Sequence, residues 1–73
     1  MALPTMIHVD SSNVAQIGYD EPNQEVYVRF TNNTLYTYKG VPKHEFEGLK
    51  NAPSIGSYLH RNYKNVFPYE RIE

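Results

Sequence analysis

The clearest alternation of apolar and polar positions runs from Glu25 to Phe30. Val26, Val28 and Phe30 alternate there with Glu25, Tyr27 and Arg29. A period of two puts the two sets on opposite faces of a strand. Thr34 to Lys39 alternates in the same way, with Thr34, Tyr36 and Tyr38 on one side and Leu35, Thr37 and Lys39 on the other. Between these strands, Thr31-Asn32-Asn33-Thr34 reads as a hairpin turn, because Asn tolerates the left-handed backbone such turns need. A two-residue loop would set Phe30 opposite Leu35 and turn Tyr36 and Tyr38 away from Val26, Val28 and Phe30. A three-residue loop with a bulge sets Phe30 opposite Thr34 and Glu25 opposite Lys39. All five large side chains then share one face. A slip of one residue flips every side chain, so burial selects the three-residue loop.

Upstream, Val14 to Tyr19 predicts a strand with Ala15, Ile17 and Tyr19 on one face. Val14 does not fit that face, which suggests a bulge. Asp20 to Gln24 is a turn. Met6 to Val9 is a short edge strand, and Met1 to Thr5 is expected to be a flexible end. Asp10-Ser11-Ser12-Asn13 is a turn whose side chains, Ser11 and Ser12 included, bond nearby backbone.

Downstream, Gly40 lets the chain turn and Pro42 suits the first turn of a helix. That helix runs to about Asn51, with Phe46 and Leu49 as its apolar stripe and Ala52 below. Pro53 ends it, and Ser54 is a good N-cap for a second helix. Ile55, Tyr58, Leu59, Asn62, Tyr63 and Val66 follow at helical spacing. Phe67-Pro68-Tyr69-Glu70-Arg71 is an extended tail whose aromatics close the core. The expected fold is α+β: a three- or four-stranded antiparallel meander followed by two helices packed on one face.

Size narrows the possibilities. The 73 residues make one domain, 1–73, with its core over about 7–71. A chain of this length has room for one sheet face under one or two helices, and none for a deep cleft between lobes. It contains no Cys, which excludes a disulfide scaffold and any thiolate zinc site. No apolar run approaches the ~20 residues of a membrane span. The N-terminus lacks the basic and apolar regions of a signal peptide, so a cytoplasmic location is expected. Asn32-Asn33-Thr34 has the form of a glycosylation sequon and reads as a turn. The formal net charge is -1, which weighs mildly against a nucleic-acid binder, usually a basic protein. Seven Tyr and three Phe without Trp suit a small core, and also a binding surface.

The order of these pieces resembles the KTSC domain family. That family takes its name from a segment at the C-terminus of some lysyl-tRNA synthetases, and also includes small free-standing bacterial and phage proteins. The matching residues are Ser11-Ser12, Ile17-Gly18-Tyr19-Asp20, Val26-x-Val28-x-Phe30 and Tyr36-x-Tyr38. Gly40-Val41-Pro42, Phe46, Leu49, Ala52-Pro53-Ser54, Gly56, Tyr58, Asn62 and the ending Phe67 to Arg71 follow in order. The likeness covers roughly residues 7 to 71. Asn33 stands where many members carry Gly. The resemblance implies a domain without an established activity, with RNA binding suggested by the synthetase setting. It also implies that Tyr36, Tyr38, Gly40, Pro42, Ser54, Gly56 and Tyr58 are motif residues with mainly structural roles.

Five sets of side chains are candidates for chemistry. Tyr36 and Tyr38 could stack bases, although their register with Val26, Val28 and Phe30 favours core packing. The opposite sheet face carries Tyr27, Arg29, Leu35, Thr37 and Lys39. It is either a platform for single-stranded nucleic acid or peptide, or an ordinary wet face. The second helix shows Ser57, His60, Arg61 and Lys64 on one stripe, with Arg71 expected nearby. These cations could meet phosphates, or simply suit the negative end of the helix. His8, Asp10 and Ser12 have triad residue types, but lie along one segment where a triad needs convergence from several. His8, His44 and His60, with Glu45 or Glu47, lack ligand spacing, so no metal and no cofactor are expected. The sequence thus predicts a non-enzymatic binding module, with RNA as the first candidate ligand and Tyr27, Arg29, Lys39, His60, Arg61, Lys64 and Arg71 as contacts. The alternative is a protein-interaction or dimerisation module using an open sheet edge.

Overall fold

Five antiparallel strands lie side by side in chain order. They are β1 (Met6–His8), β2 (Val14–Asp20), β3 (Glu25–Phe30), β4 (Leu35–Lys39) and β5 (Tyr69–Arg71). Two helices, α1 (Lys43–Lys50) and α2 (Ile55–Asn62), separate β4 from β5 in sequence. This computed structural model describes residues 3–73. Of the end expected to be flexible, Met1 and Ala2 lie outside the described residues.

The α+β architecture, with a meander followed by two helices, is as the sequence predicts. The tail adds a strand: Tyr69, Glu70 and Arg71 pair with Tyr38, Thr37 and Tyr36. A three-residue strand behind a proline has too little alternation to be recognised, yet Pro68 is tolerated at the start of an edge strand. Its carbonyl accepts from the Lys39 N–H at 2.8 Å.

The hairpin register is the one selected by burial. Glu25 pairs with Lys39, Val26 with Tyr38 and Val28 with Tyr36. The Phe30 N–H donates to the Thr34 carbonyl at 2.9 Å, and Asn33 takes the left-handed conformation at φ 73°. In β2 the register shifts between Val14 and Gln16, so Ala15 is the bulged residue. That corrects the predicted face. Val14 and Ile17 are both fully buried in the core, and Ala15 is only half-buried. Ser11 shapes this entry, its Oγ accepting from the Asn13 and Val14 N–H groups at 3.4 Å.

Gly40 turns the chain with φ 72°, a conformation other residues adopt at a cost. Pro42 then sits one place earlier than predicted, as the extended N-cap of α1. Phe46 and Leu49 are buried as predicted. Ser54 caps α2, its Oγ accepting from the Ser57 N–H at 3.3 Å. Ile55, Leu59 and Tyr63 are buried, whereas Val66 is 62% exposed. The helical run stops at Asn62, so the spacing that would have carried Val66 inward no longer applies.

The helices cover the face bearing Val14, Ile17, Val26, Val28 and Tyr38. Tyrosine hydroxyls tie α1 down. Tyr19 donates to the Val41 carbonyl at 2.7 Å, Tyr63 to the Glu45 carbonyl at 3.0 Å, and Tyr58 to the Glu45 carboxylate at 3.4 Å. Burial raises the Tyr63 phenol far above its ordinary value, with the nearby Glu45 carboxylate adding to the shift.

Candidate functional site

The aromatic rings of the helix-covered face form a chain of contacts. Phe30 meets Tyr36 edge-on with centroids 5.5 Å apart, Tyr36 meets Tyr69 at 5.9 Å, and Tyr69 meets Tyr38 at 5.8 Å. Tyr38 then meets Tyr63 edge-on at 5.4 Å, deep under α2. Centroid separations of 4.5–7 Å are the attractive range for such pairs. The chain of rings therefore runs from the core at Tyr63 out to solvent at Tyr69 and back to the half-buried Phe30. Tyr63 is fully buried, Tyr38 is 7% exposed, Phe30 and Tyr36 are half-buried, and Tyr69 is 57% exposed.

Where the rings emerge, they floor a hollow of about 400 Å³ between α2 and the hairpin end of the sheet. Phe30, Tyr36, Tyr38 and Tyr69 line the bottom. Gly56, Leu59, His60 and Lys64 form the α2 wall, and Asn13, Asn32 and Thr34 form the turn wall. None of these lining residues is Asp or Glu. Burial of the Tyr38 hydroxyl, and then its neighbours Tyr69 and Tyr36, raise its pKa, so it stays a neutral hydrogen-bonding group at ordinary pH. Asn32 is pinned by its own turn. Its Oδ1 accepts from the Thr34 N–H at 3.2 Å and from the Thr34 hydroxyl at 2.7 Å, leaving the amide nitrogen as its donor.

The candidate contacts divide between several places. His60 and Lys64 join Tyr36 and Tyr38 at this groove. Arg61, one residue round the helix, lines two neighbouring hollows instead, and is exposed. Arg71 lies on the outer strand in register with Tyr36, and its Nε donates to the Glu73 carbonyl at 2.9 Å. Gly40, Pro42, Ser54 and Tyr58 have the capping, turning and tethering roles described above.

Tyr27, Arg29 and Lys39 lie across the sheet from the groove, on a face that is neither wet nor flat. Tyr27 is 2% exposed, Leu35 0% and Thr37 3%. One row across this face runs Met6, Gly18, Tyr27, Thr37, Glu70. The space above Gly18 is taken by the Met6 thioether, the Thr5 carbonyl and the Pro4 ring. At the other end, Leu35 exchanges backbone bonds with Ile72 and Glu73. The Arg29 guanidinium is engaged too, 2.6 Å from the Glu73 carboxylate. Burial, with Glu25 beside it, raises the Tyr27 phenol. Tyr27 lines a hollow with Lys39 and Arg71, but its buried ring leaves little face for stacking. The acids Glu25 and Glu70 share that hollow, and Arg29 faces an acid already. Lys39 stays exposed on the rim.

Sequence reasoning did not select Phe30, Tyr69, Asn13, Asn32 and Thr34 as groove residues. Tyr69 could not be placed without β5. The turn residues were legible as turns but not as a wall facing α2. Among the described residues no group of three His, Asp or Glu side chains is placed to hold a metal ion. Among the same residues no helix is long and apolar enough to cross a membrane.

A family model, the KTSC domain, matches residues 10–67. The chain belongs to the KTSC domain family. A crystal structure of a KTSC domain protein from Yersinia pestis superposes with a TM-score of 0.90 at 29% identity, covering 94% of this chain and 97% of that one. An uncharacterised protein of Stutzerimonas stutzeri is 31% identical over 68 residues, covering 92% of this chain and 96% of its own length. A lysine–tRNA ligase of Trichormus variabilis is 31% identical over 67 residues. There the match covers 92% of this chain but 12% of the ligase. The KTSC fold thus occurs both as a small protein and as one segment of a far larger enzyme.

Proposed function

We propose that this KTSC domain is a non-enzymatic RNA-binding module that receives unpaired bases in the aromatic groove. One observation carries the reading. Phe30, Tyr36 and Tyr69 present partly open rings beside His60 and Lys64, in a lining without a carboxylate, although the chain has eight acidic residues. Base stacking on such rings is worth roughly 1–3 kcal/mol per base and tolerates any sequence. Lys64 supplies attraction for phosphate, and the amides of Asn13 and Asn32 can meet base edges. The net charge of -1 does not oppose this, because none of the chain's eight acids lines the groove. The lysine–tRNA ligase relatives supply an RNA setting, and a cytoplasmic location goes with it. Binding rather than catalysis fits the lining, which has no carboxylate to orient His60.

The test is an amide-shift titration of the labelled domain with short single-stranded and hairpin RNAs at low and moderate salt. Shifts gathered on Phe30, Tyr36, Tyr69, His60 and Lys64, weakening as salt rises, are expected. Absence of shifts at low salt overturns the reading. Self-association through an open edge has less support, since β1 and β5 are three residues each and short edges pair poorly. A sedimentation mass above 8.5 kDa would revive it.

A further inference from the structure

The aromatic groove is not alone on its side of the molecule. A second hollow opens on the other flank of α2, lined by Ser12, Ser54, Ser57 and Arg61. The two share Asn13, Gly56 and His60. The two hollows therefore adjoin at these residues, and their chemistries differ. One side is floored by aromatic rings, and the other carries hydroxyls and a guanidinium. Neither is lined by an acid.

Gly56 stands at the border. A Cβ there would stand 2.7 Å from the Asn13 side-chain oxygen. Because position 56 has no side chain, the Asn13 amide can lie against the helix at the border of the two hollows. His60 lines both hollows as well. Arg61 is exposed and, among the described residues, forms no ion pair. The Ser57 N–H is already held by the Ser54 hydroxyl.

Resting on the RNA-binding reading above, we infer that the second hollow is the phosphate seat of the same site. A nucleotide with its base on Tyr36 and Tyr69 passes over the Asn13–Gly56 border, and its phosphate meets Arg61 and Ser57. A planar guanidinium suits phosphate because it can donate two parallel hydrogen bonds. The two hollows then read the two ends of one nucleotide, and α2 is the divider between them.

The test measures the affinity of the domain for single-stranded adenylate and uridylate hexanucleotides across a salt series. The variants are Arg61→Gln, Ser57→Glu and Tyr69→Leu, with thermal melts confirming that each is folded. Loss of the charge-assisted contact in Arg61→Gln should weaken binding about tenfold at low salt. Its slope of log affinity against log salt should flatten by about 0.7, the contribution of one phosphate in a single strand. Ser57→Glu should weaken binding at least as much, by placing an anion in the seat. Tyr69→Leu should weaken binding and leave the salt slope unchanged. If the parent domain binds and either Arg61→Gln or Ser57→Glu keeps its affinity and slope, the phosphate seat is wrong while the groove reading stands. If the parent domain binds neither hexanucleotide at low salt, the groove reading has failed and the seat falls with it.

Discussion

The two faces of the sheet solve the same problem in different ways. The front face is covered by two helices, yet keeps Tyr69 and part of Phe30 and Tyr36 open to solvent. The back face has no helix, yet Tyr27, Leu35 and Thr37 are nearly inaccessible. Chain segments at either end of the domain do that work: Pro4 to Met6 over Gly18, and Ile72 with Glu73 beside Leu35. Exposure therefore does not follow from the number of layers. The thick side leaves a gap between α2 and the hairpin end, where Gly56, Leu59, His60 and Lys64 stand back from the rings. The thin side leaves little because its residues are small, paired or crossed by neighbours.

That contrast can be tested by removing side chains from each face. The largest loss should come from Tyr63→Ala. It removes a fully buried ring that contacts Tyr38, Tyr58 and Phe67 and bonds the Glu45 carbonyl. A cost of about 3–5 kcal/mol is expected in urea unfolding, enough to leave little native protein. Leu35→Ala on the back face should cost about 2–4 kcal/mol, the range for a sealed core position. A wet face would lose almost nothing, so a change under about 0.5 kcal/mol would erase the contrast between the faces.

Smaller effects sharpen it. Tyr63→Phe keeps the ring and loses one hydrogen bond, for about 1 kcal/mol. The same residue predicts alkaline sensitivity. The Tyr63 and Tyr38 phenols ionise less readily in the fold than in the unfolded chain, where they titrate near the ordinary tyrosine value. Unfolded chains thus lose protons first, and the stability these groups contribute is whole below pH ~10 and falls as pH rises beyond it. Tyr63→Phe should flatten that decline, as read by urea midpoints through the alkaline range. Arg29→Gln breaks the contact with a half-exposed Glu73 and should cost no more than about 1 kcal/mol in a thermal melt.

The strand pattern was legible wherever side chains alternated over several residues. Val26, Val28, Phe30, Tyr36 and Tyr38 fixed a register because any slip would have exposed them all. Ser54 and Gly40 were legible through backbone chemistry peculiar to those residues. Ala15 misled because a bulge reverses the alternation after it, and the polar Gln16 does not mark the place. Val66 misled because helical spacing alone does not say where a helix stops. The groove was half legible. His60 and Lys64 stood out as cations on one helix face. Their partners Asn32, Thr34 and Tyr69 come from a turn and a strand joined only by tertiary pairing. Tyr27 reads as polar-facing by alternation, and nothing local reveals that the ends of the domain fold over it.

The position of β5 has a kinetic consequence. Strands β2 to β4 find their partners among sequence neighbours, so the meander can form early and quickly. Tyr69 reaches Tyr36 and Tyr38 only after both helices have been laid down between them. A short outer strand that closes last is also the natural place for reversible opening. Each such excursion would strip Tyr69 from the groove floor while the meander and α1 stay folded. The time the groove spends complete is then governed by β5 rather than by global unfolding. Amide exchange at the Ile72 N–H, which bonds the Leu35 carbonyl at 2.7 Å, is where that clock can be read.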